Sequence, residues 1–586
     1  MRHFFTVMWP FIRRSLNWVL VGAIGGFLMN VLASAVPVAL GKALDSALAI
    51  EHAPGDPTLR VRLIHHLLLF AGASALYSAF RVAKRLGFRY MDNRMKRHLR
   101  EAALSSVMRW PMPQLHTLRP GDLMSRMVGD MDVMSQGVRG PFTEMFDTAV
   151  MMAVAFGVLA YYNLNLTLLV AIPVPLVALL AVAAGRAVQR RSLTARMATG
   201  NVVAHLQEAI SGIRVLRLLG CEEEQARRLE SLTRTEVDRN LSVLRLRAGV
   251  LPACSALAYL GTAAVIWIGG GAVCRGEMSV GDLVAYLVLF ERAVRRTLVI
   301  ARELNNIHAG RGALTRTESL LEEGRDLPVH PTLSPSSGDL RIRGLTFAFP
   351  GTPEPILQGI DLTAHAGQII AITGPVGSGK TALARALLGF YPWMEGRLER
   401  GDGDLGVCGA EGLIGAVAYC PQDTFLFSGT VGENIAFSDG TRGEVSERMQ
   451  RAAYIAALNE DLAGFPEGFQ TPVGEGGVRV SGGQRGRIAL ARAIYAGRKW
   501  LVLDDPFAAV DLTTEEQIHR RLRAHLEDTA VLLLSHRLAA FPEADRVLVL
   551  DRGRVVEQGA HAQLMRTGKV YPLIYRAQLR VERGAG

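Results

Sequence analysis

The chain has 586 residues, 49% of them hydrophobic, a positive mean hydropathy and a formal net charge of +11. That length exceeds one compact domain, and an ordinary soluble globule rarely combines so much apolar content with positive hydropathy. The charge is almost all arginine. It crowds into stretches between apolar runs (81–109, 186–247 and 292–316). This is how a membrane protein marks its cytoplasmic loops, and it argues against a nucleic-acid face, which needs basic residues interleaved with aromatics.

In chain order, the first segment, MRHFFTVMWPFIRR, reads as a short amphipathic helix at the membrane surface, running into an uncleaved first span. Six apolar segments reach the length that crosses a bilayer: Trp18–Leu40, Leu63–Val82, Phe142–Tyr162, Leu166–Ala187, Ala248–Gly271 and Val280–Ile300. The long arginine-rich links after the second and fourth spans read as helical and cytoplasmic, which places both termini inside. Each link contains a break suited to a short docking helix. The first is expected at Leu118–Asp132, where Pro120 and Gly121 interrupt and Asp122 caps the restart. The second is expected at Ile210–Gln225, where Gly220 interrupts and Glu222–Glu224 open the next turn. The five cysteines form no CxxC pair and read as free thiols.

The sixth span is unusually charged, with Glu291, Arg292, Arg295, Arg296, Arg302 and Glu303. At about 100° per residue, Arg292, Arg295, Arg296 and Glu303 share one face. Intramembrane charge normally meets a partner charge or a cavity. Glu144 and Asp147 on the third span are candidate partners. Two readings stand: an internal ion-pair network, or a cavity where Arg292, Arg295 or Arg296 contacts an anionic or amphipathic substrate. The organisation expected is a membrane domain over 1–315, a Pro/Ser/Gly-rich linker over 316–339, and an α/β domain over 340–586, where short apolar strands alternate with helices.

The decisive segment is QIIAITGPVGSGKTALARALL. A strand over Ile369–Thr373 leads into Gly374, Pro375, Val376, Gly377, Ser378, Gly379, Lys380 and Thr381, and a helix follows. This is a P-loop in its required context. Its glycines let backbone amides converge on phosphate, Lys380 reaches the β- and γ-phosphates, and Thr381 offers a hydroxyl to Mg²⁺. A second strand, Trp500–Leu503, delivers Asp504 as a Mg²⁺ carboxylate. Asp505 follows where a base for the attacking water belongs.

The remaining motifs resemble the ATP-binding cassette (ABC) transporter superfamily. Gln422 matches its Q-loop, a Mg²⁺ contact. Val480-Ser481-Gly482-Gly483-Gln484 matches its signature, and His536 its switch histidine. Ala508-Ala509-Val510-Asp511 sits at the D-loop, and Thr471–Gly477 resembles the TxVGExG loop of exporter cassettes. Phe349 stands where the family stacks an aromatic on adenine. The resemblance covers nearly the whole chain and is to exporter-type half-transporters of the multidrug and lipid group. It implies an all-α six-helix membrane domain joined to an α/β P-loop cassette, with ATP and Mg²⁺ as cofactors. It implies a multi-pass protein of a bacterial inner membrane. It also implies a second half-transporter as partner, with Ser481, Gly482, Gly483 and Gln484 acting on the partner's nucleotide. The chain departs from the pattern at Asp505, where the family usually has Glu, and at Ala508, where Ser is common. That mixture resembles the slow-hydrolysing subunit of heterodimeric exporters. An importer on the same fold, a homodimeric lipid flippase and an ATP-binding sensor remain open at this point. A soluble ATPase conflicts with the six spans.

Overall fold

The computed structural model describes residues 2–53, 55–118, 120–322, 339–400, 403–404, 413, 415–440, 444–508 and 510–584. Most of the expected linker lies outside the described residues, as do Cys408 and Ala509. The chain divides into two compact units. One comprises Met1–Arg109 with Leu118–Arg325, and the other Trp110–Thr117 with Asp326–Gly586.

The first unit is entirely helical. Helix α1 (Arg2–Arg13) buries Phe4, Met8 and Ile12 on one stripe, as an amphipathic surface helix should. Then follow α2 (Leu16–His52), α3 (Pro57–Val107), the short α4 (Met112–Thr117), which belongs to the second unit, and α5 (Pro120–Tyr162). After these come α6 (Leu164–Ala171), α7 (Pro173–Ser211), α8 (Ile213–Leu219), α9 (Glu222–Cys274) and α10 (Val280–Glu322). Among the described residues, α2, α3, α5 and α9 carry stretches long and apolar enough to cross a membrane. The expected fourth span is split between α6 and α7 at Pro173, whose missing N–H cannot continue the ladder. The expected sixth lies within α10, where its charges lower the hydropathy. The long links are the same helices continued: α3 and α9, which carry the second and fifth spans, run 51 and 53 residues. At 1.5 Å per residue those are roughly 75–80 Å long, well beyond a bilayer core of about 30 Å.

The second break falls where the sequence places it. Gly220 takes φ +64 to end α8, and Glu222–Glu224 form the first turn of α9. The first break does not. Helix α3 ends at Val107, Pro111 prevents its continuation, and the short helix is Met112–Thr117. Pro120 opens α5, a position where its missing N–H costs nothing. Asp122 lies inside that first turn and pairs with Arg126 at 2.8 Å.

Glycines set the close approach of α2 and α3. A Cβ at Gly87 would lie 2.6 Å from the Gly22 amide nitrogen and 2.8 Å from the Trp18 carbonyl, so the backbones touch there. Small residues at such crossings are how helices pack where lipid removes the hydrophobic drive. Near the far end of α2, Gly41 meets Gly281 of α10, and Asp45 accepts from the Gly281 N–H at 2.7 Å and the Ser279 hydroxyl at 2.6 Å.

The second unit holds two sheets. The antiparallel one orders β2 (Leu357–Ala364), β1 (Leu340–Phe347), β4 (Glu395–Arg400) and β5 (Gly403–Asp404). The other orders β10 (Arg554–Gly559), β9 (Arg546–Asp551), β3 (Ile369–Thr373), β8 (Ala530–Leu534), β7 (Trp500–Asp504) and β6 (Val417–Cys420). All its pairings are parallel except β10 with β9. Strands β3, β7 and β8 are buried on both faces, which is why they read as unbroken apolar runs. Alternate residues feed two cores: Ile369 and Ala371 enter one, Ile370 and Ile372 the other.

Replacing Gly87 by Leu should overpack the α2–α3 crossing, cost about 1–3 kcal/mol and lower the melting temperature of the solubilised protein. Gly72→Ala on the same helix, where a Cβ meets nothing within 4 Å, should not lower the melting temperature, since alanine favours a helix interior over glycine.

Candidate functional site

The carboxyl ends of the central parallel strands carry the groups that the sequence singles out. After β3 the backbone turns through Gly374, Gly377 (φ +81) and Gly379 (φ +103) into α11 (Lys380–Leu387). A Cβ at Gly374 would collide with the Leu550 carbonyl, and one at Gly379 would lie 2.9 Å from Leu357. Only glycine fits at either point. Gly377 and Val376 face open space, Val376 at 91% exposure. Pro375 accepts the Ser378 N–H at 3.1 Å, and Ser378 in turn accepts from Gly553 N–H at 3.0 Å.

Lys380 is buried and folds back into its own loop. Its ammonium donates to the carbonyls of Gly374 (2.8 Å) and Pro375 (3.1 Å). Burial holds its pKa below the ordinary lysine value, against the upward pull of Asp505 and Asp504. Asp504, the last residue of β7, is also buried, and burial raises its pKa. The Thr381 hydroxyl donates to one of its oxygens at 3.3 Å and the Tyr419 phenol to the other at 3.2 Å. Thr381, Asp504 and Gln422 line one cavity of about 400 Å³ with Tyr419, Arg385 and Met112 of α4. The three groups expected around Mg²⁺ therefore converge. Among the described residues the Lys380 ammonium has no carboxylate in hydrogen-bond reach, and with the Thr381 hydroxyl and the Asp504 carboxylate it fits a metal-bound polyphosphate.

Asp505 follows in the left-handed region at φ +48, where Asp and Asn are enriched among non-glycine residues. Its N–H donates to the Leu534 carbonyl at 2.7 Å, and its carboxylate accepts from the Ser535 hydroxyl at 3.2 Å. His536 comes next in the chain after that serine. Burial lowers its pKa, Lys380 lowers it further, and the carboxylates of Asp505 and Asp504 act against both. Phe349 packs edge-on against Tyr391 at 5.5 Å with the Arg385 guanidinium 5.8 Å from its ring. Ala508 is exposed.

The signature residues build a helix terminus. Ser481 is the N-cap of α12 (Gly482–Tyr495), of which Gly482 and Gly483 are the first two residues. Its hydroxyl accepts from Gln484 N–H at 3.2 Å, and the Gln484 side chain accepts from Ser481 N–H at 2.9 Å. This reciprocal pair is a capping box. Asp461 fixes it from outside, accepting from Gln484 at 3.1 Å and pairing with Arg487 at 2.6 Å. Among the described residues, no hydrogen bond joins Ser481–Gln484 to the P-loop of the same chain. Asp511 likewise caps α13 (Leu512–His525), taking Thr514 N–H at 2.9 Å, and these hydrogen bonds hold its pKa well down.

Sequence reasoning missed Tyr419, Ser535 and Asp461. Tyr419 had a signal, since it lies on a strand parallel to and hydrogen-bonded with β7. Asp461 had none, being far from the signature in the chain.

In the helical unit the three arginines of α10 line one cavity of about 350 Å³ with Met29, Tyr77 and Met151. Arg296 pairs with Glu144 at 2.9 Å and Asp147 at 3.4 Å, the partners the sequence suggested. Asp147 also takes Lys84 at 2.6 Å and Asn30 at 2.6 Å. Arg295 is largely exposed and pairs with Glu291 at 2.6 Å. Arg292 donates to the Ala33 carbonyl. Glu303 is buried among Arg302 and Asn306 instead of joining the arginines.

A helical unit of membrane-crossing helices and a P-loop domain carrying a capped signature helix together define an ATP-driven membrane transporter. Residues 19–298 match the model of the ABC transporter transmembrane region, and residues 357–508 that of the ABC transporter domain. A probable multidrug resistance ABC transporter ATP-binding/permease protein of Bacillus subtilis is 30% identical over 582 residues, spanning 98% of this chain and 96% of that protein. An ATP-dependent lipid A-core flippase of Aromatoleum aromaticum is 30% identical over 491 residues, 83% of this chain and 80% of its own. A bacterial Atm1-family ABC exporter solved with ATP bound shares the fold, with a TM-score of 0.79 at 23% identity, covering 97% of this chain and 98% of that one. The chain belongs to the ABC transporter family, in its exporter-type group, and is a multi-pass, ATP-hydrolysing membrane protein.

Ser481→Ala removes one half of the capping box. It should cost about 1 kcal/mol and lower the melting temperature of the cassette unfolding step by about 2–4 °C. An unchanged melting temperature would contradict the capping role.

Proposed function

We propose that this chain is one half of an exporter of hydrophobic or amphipathic compounds. It works by alternating access in a bacterial inner membrane, paired with a second half-transporter that carries the competent catalytic carboxylate. The arginine-rich helix extensions support a cassette and termini on the cytoplasmic side. ATP lies with its adenine on Phe349 and its phosphates along Gly374–Thr381, held by Lys380. Thr381, Asp504 and Gln422 would hold Mg²⁺, which screens the phosphate charge and fixes its geometry. Ser481, Gly482, Gly483 and Gln484 present a helix N-terminus to the nucleotide of the partner subunit, since a single cassette encloses its own from one side. His536 contacts the γ-phosphate region, where a neutral imidazole, favoured by its burial, donates or accepts without repelling Lys380.

The observation that carries the heterodimer is Asp505. It is one methylene shorter than glutamate, and the Ser535 hydroxyl engages the carboxylate that a water would need. A displacement near 1 Å is worth roughly a hundredfold in rate. A homodimeric lipid flippase is the second reading, favoured by the relatives that are named lipid A-core flippases.

The purified chain alone should therefore hydrolyse ATP slowly, and Asp505→Glu should raise kcat by about tenfold or more. Brisk turnover by the unaltered chain, abolished by Asp505→Asn, would show that Asp505 is itself a competent base and would favour the homodimer.

A further inference from the structure

The charges around the cavity in the helical unit do not balance. Lys84 and Arg296 are matched by Asp147 and Glu144, through contacts of 2.6 and 2.9 Å. Arg295 has Glu291. Arg292 has no carboxylate among the described residues, and its one hydrogen bond there is to the Ala33 carbonyl. That carbonyl is available for a simple reason. Pro37 lies inside α2, four residues on, and has no N–H to return to it. One N–H of the guanidinium satisfies the orphan acceptor and leaves up to four donors of a planar fork. The positive charge stays uncompensated about three turns into α10, with Met29, Met151 and Val299 on the cavity wall around it.

An unpaired cation at membrane depth is costly, and an incoming anion relieves that cost. A purely ionic guest would leave the methionine and valine surface wet, whereas an alkyl chain covers it. We propose that this cavity takes an amphiphile whose head carries a phosphate or carboxylate, with Arg292 as the group that binds the anion. Arg296 then has a different role. Already committed to Glu144 and Asp147, it ties α10 to α5, and Arg295 is committed to Glu291. Of the three arginines, Arg292 is the one without a carboxylate partner among the described residues, and so the one that receives the anion. The inference rests on the export reading for its purpose, but its chemistry is independent of transport.

The test is equilibrium titration of the full chain in phosphatidylcholine nanodiscs, without nucleotide. The probes are dodecyl phosphate, dodecyltrimethylammonium, butyl phosphate and inorganic phosphate. Dodecyl phosphate should bind saturably and more weakly as salt rises. The cation should not bind saturably, and butyl phosphate and inorganic phosphate should bind at least about tenfold more weakly than the long chain. Arg292→Gln should weaken dodecyl phosphate about tenfold or more, Arg292→Lys less, and Arg275→Gln, which pairs with Glu277 and does not line the cavity, not at all.

A structural role for Arg292, as the group that satisfies Ala33, is separated by a second pair of variants. Pro37→Ala restores the helical partner of that carbonyl, so Arg292→Gln in the Pro37→Ala background should still lose the anion. Recovery of binding in the double variant would overturn the proposal. So would equal binding of cation and anion, equal binding of inorganic phosphate and the long-chain probe, or an unaffected Arg292→Gln. A chain that binds the anion yet never moves it with Mg-ATP would sink the export reading and leave this inference standing.

Discussion

A buried ammonium must have its charge answered, and among the described residues Lys380 has only carbonyls and a hydroxyl within hydrogen-bond reach. Its loop is built to keep it so. Glycines at Gly374 and Gly379 let backbone and strand come too close for any side chain, and α11 starts at the lysine itself. The nearby carboxylates, Asp504 and Asp505, act on it through space without a hydrogen bond. Asp504, Asp505 and His536 lie within electrostatic reach of that charge, and Thr381 donates to Asp504. A polyphosphate would complete the set, and in the proposed function two cassettes closing over it would provide the differential affinity that any ligand-driven switch requires.

The helical unit repeats the same logic in a less forgiving solvent. Asp147 is nearly inaccessible and gathers Lys84, Asn30 and Arg296 from three other helices. Such a hub is weak evidence for stability, because desolvation offsets much of the attraction. Its physical effect is register: α2, α3, α5 and α10 meet at one point with one arrangement of partners. The positive charge at Arg292 lies outside that hub and is the one proposed to receive a guest.

Much of the cassette was legible in the sequence because its chemistry is local. A strand, a glycine loop and a helix in succession place Lys380 and Thr381 with no tertiary information, and an apolar strand ending in Asp504 has one sensible use. The ion pairing of Arg296 was likewise readable from helical spacing and the two acids on the third span. What was not legible came from groups distant in the chain. Asp461 holds the signature from a separate helix, Ser535 reaches Asp505 across neighbouring strands, and Pro37 frees a carbonyl for an arginine on α10. The misplacement of the first docking helix has a different cause. Pro120–Gly121 and Trp110–Pro111 are both plausible breaks, and a proline at a helix start cannot be told from one at a helix end by composition alone.

In the proposed function this chain holds its nucleotide firmly and cleaves it slowly. The most direct measurement is the identity of the nucleotide retained after the purified full chain is incubated with Mg-ATP and separated rapidly from free ligand. The account predicts retention of about one nucleotide per chain, recovered mostly as ATP. Recovery mostly as ADP, or no retained nucleotide from a chain whose melting temperature shows it folded, would contradict it.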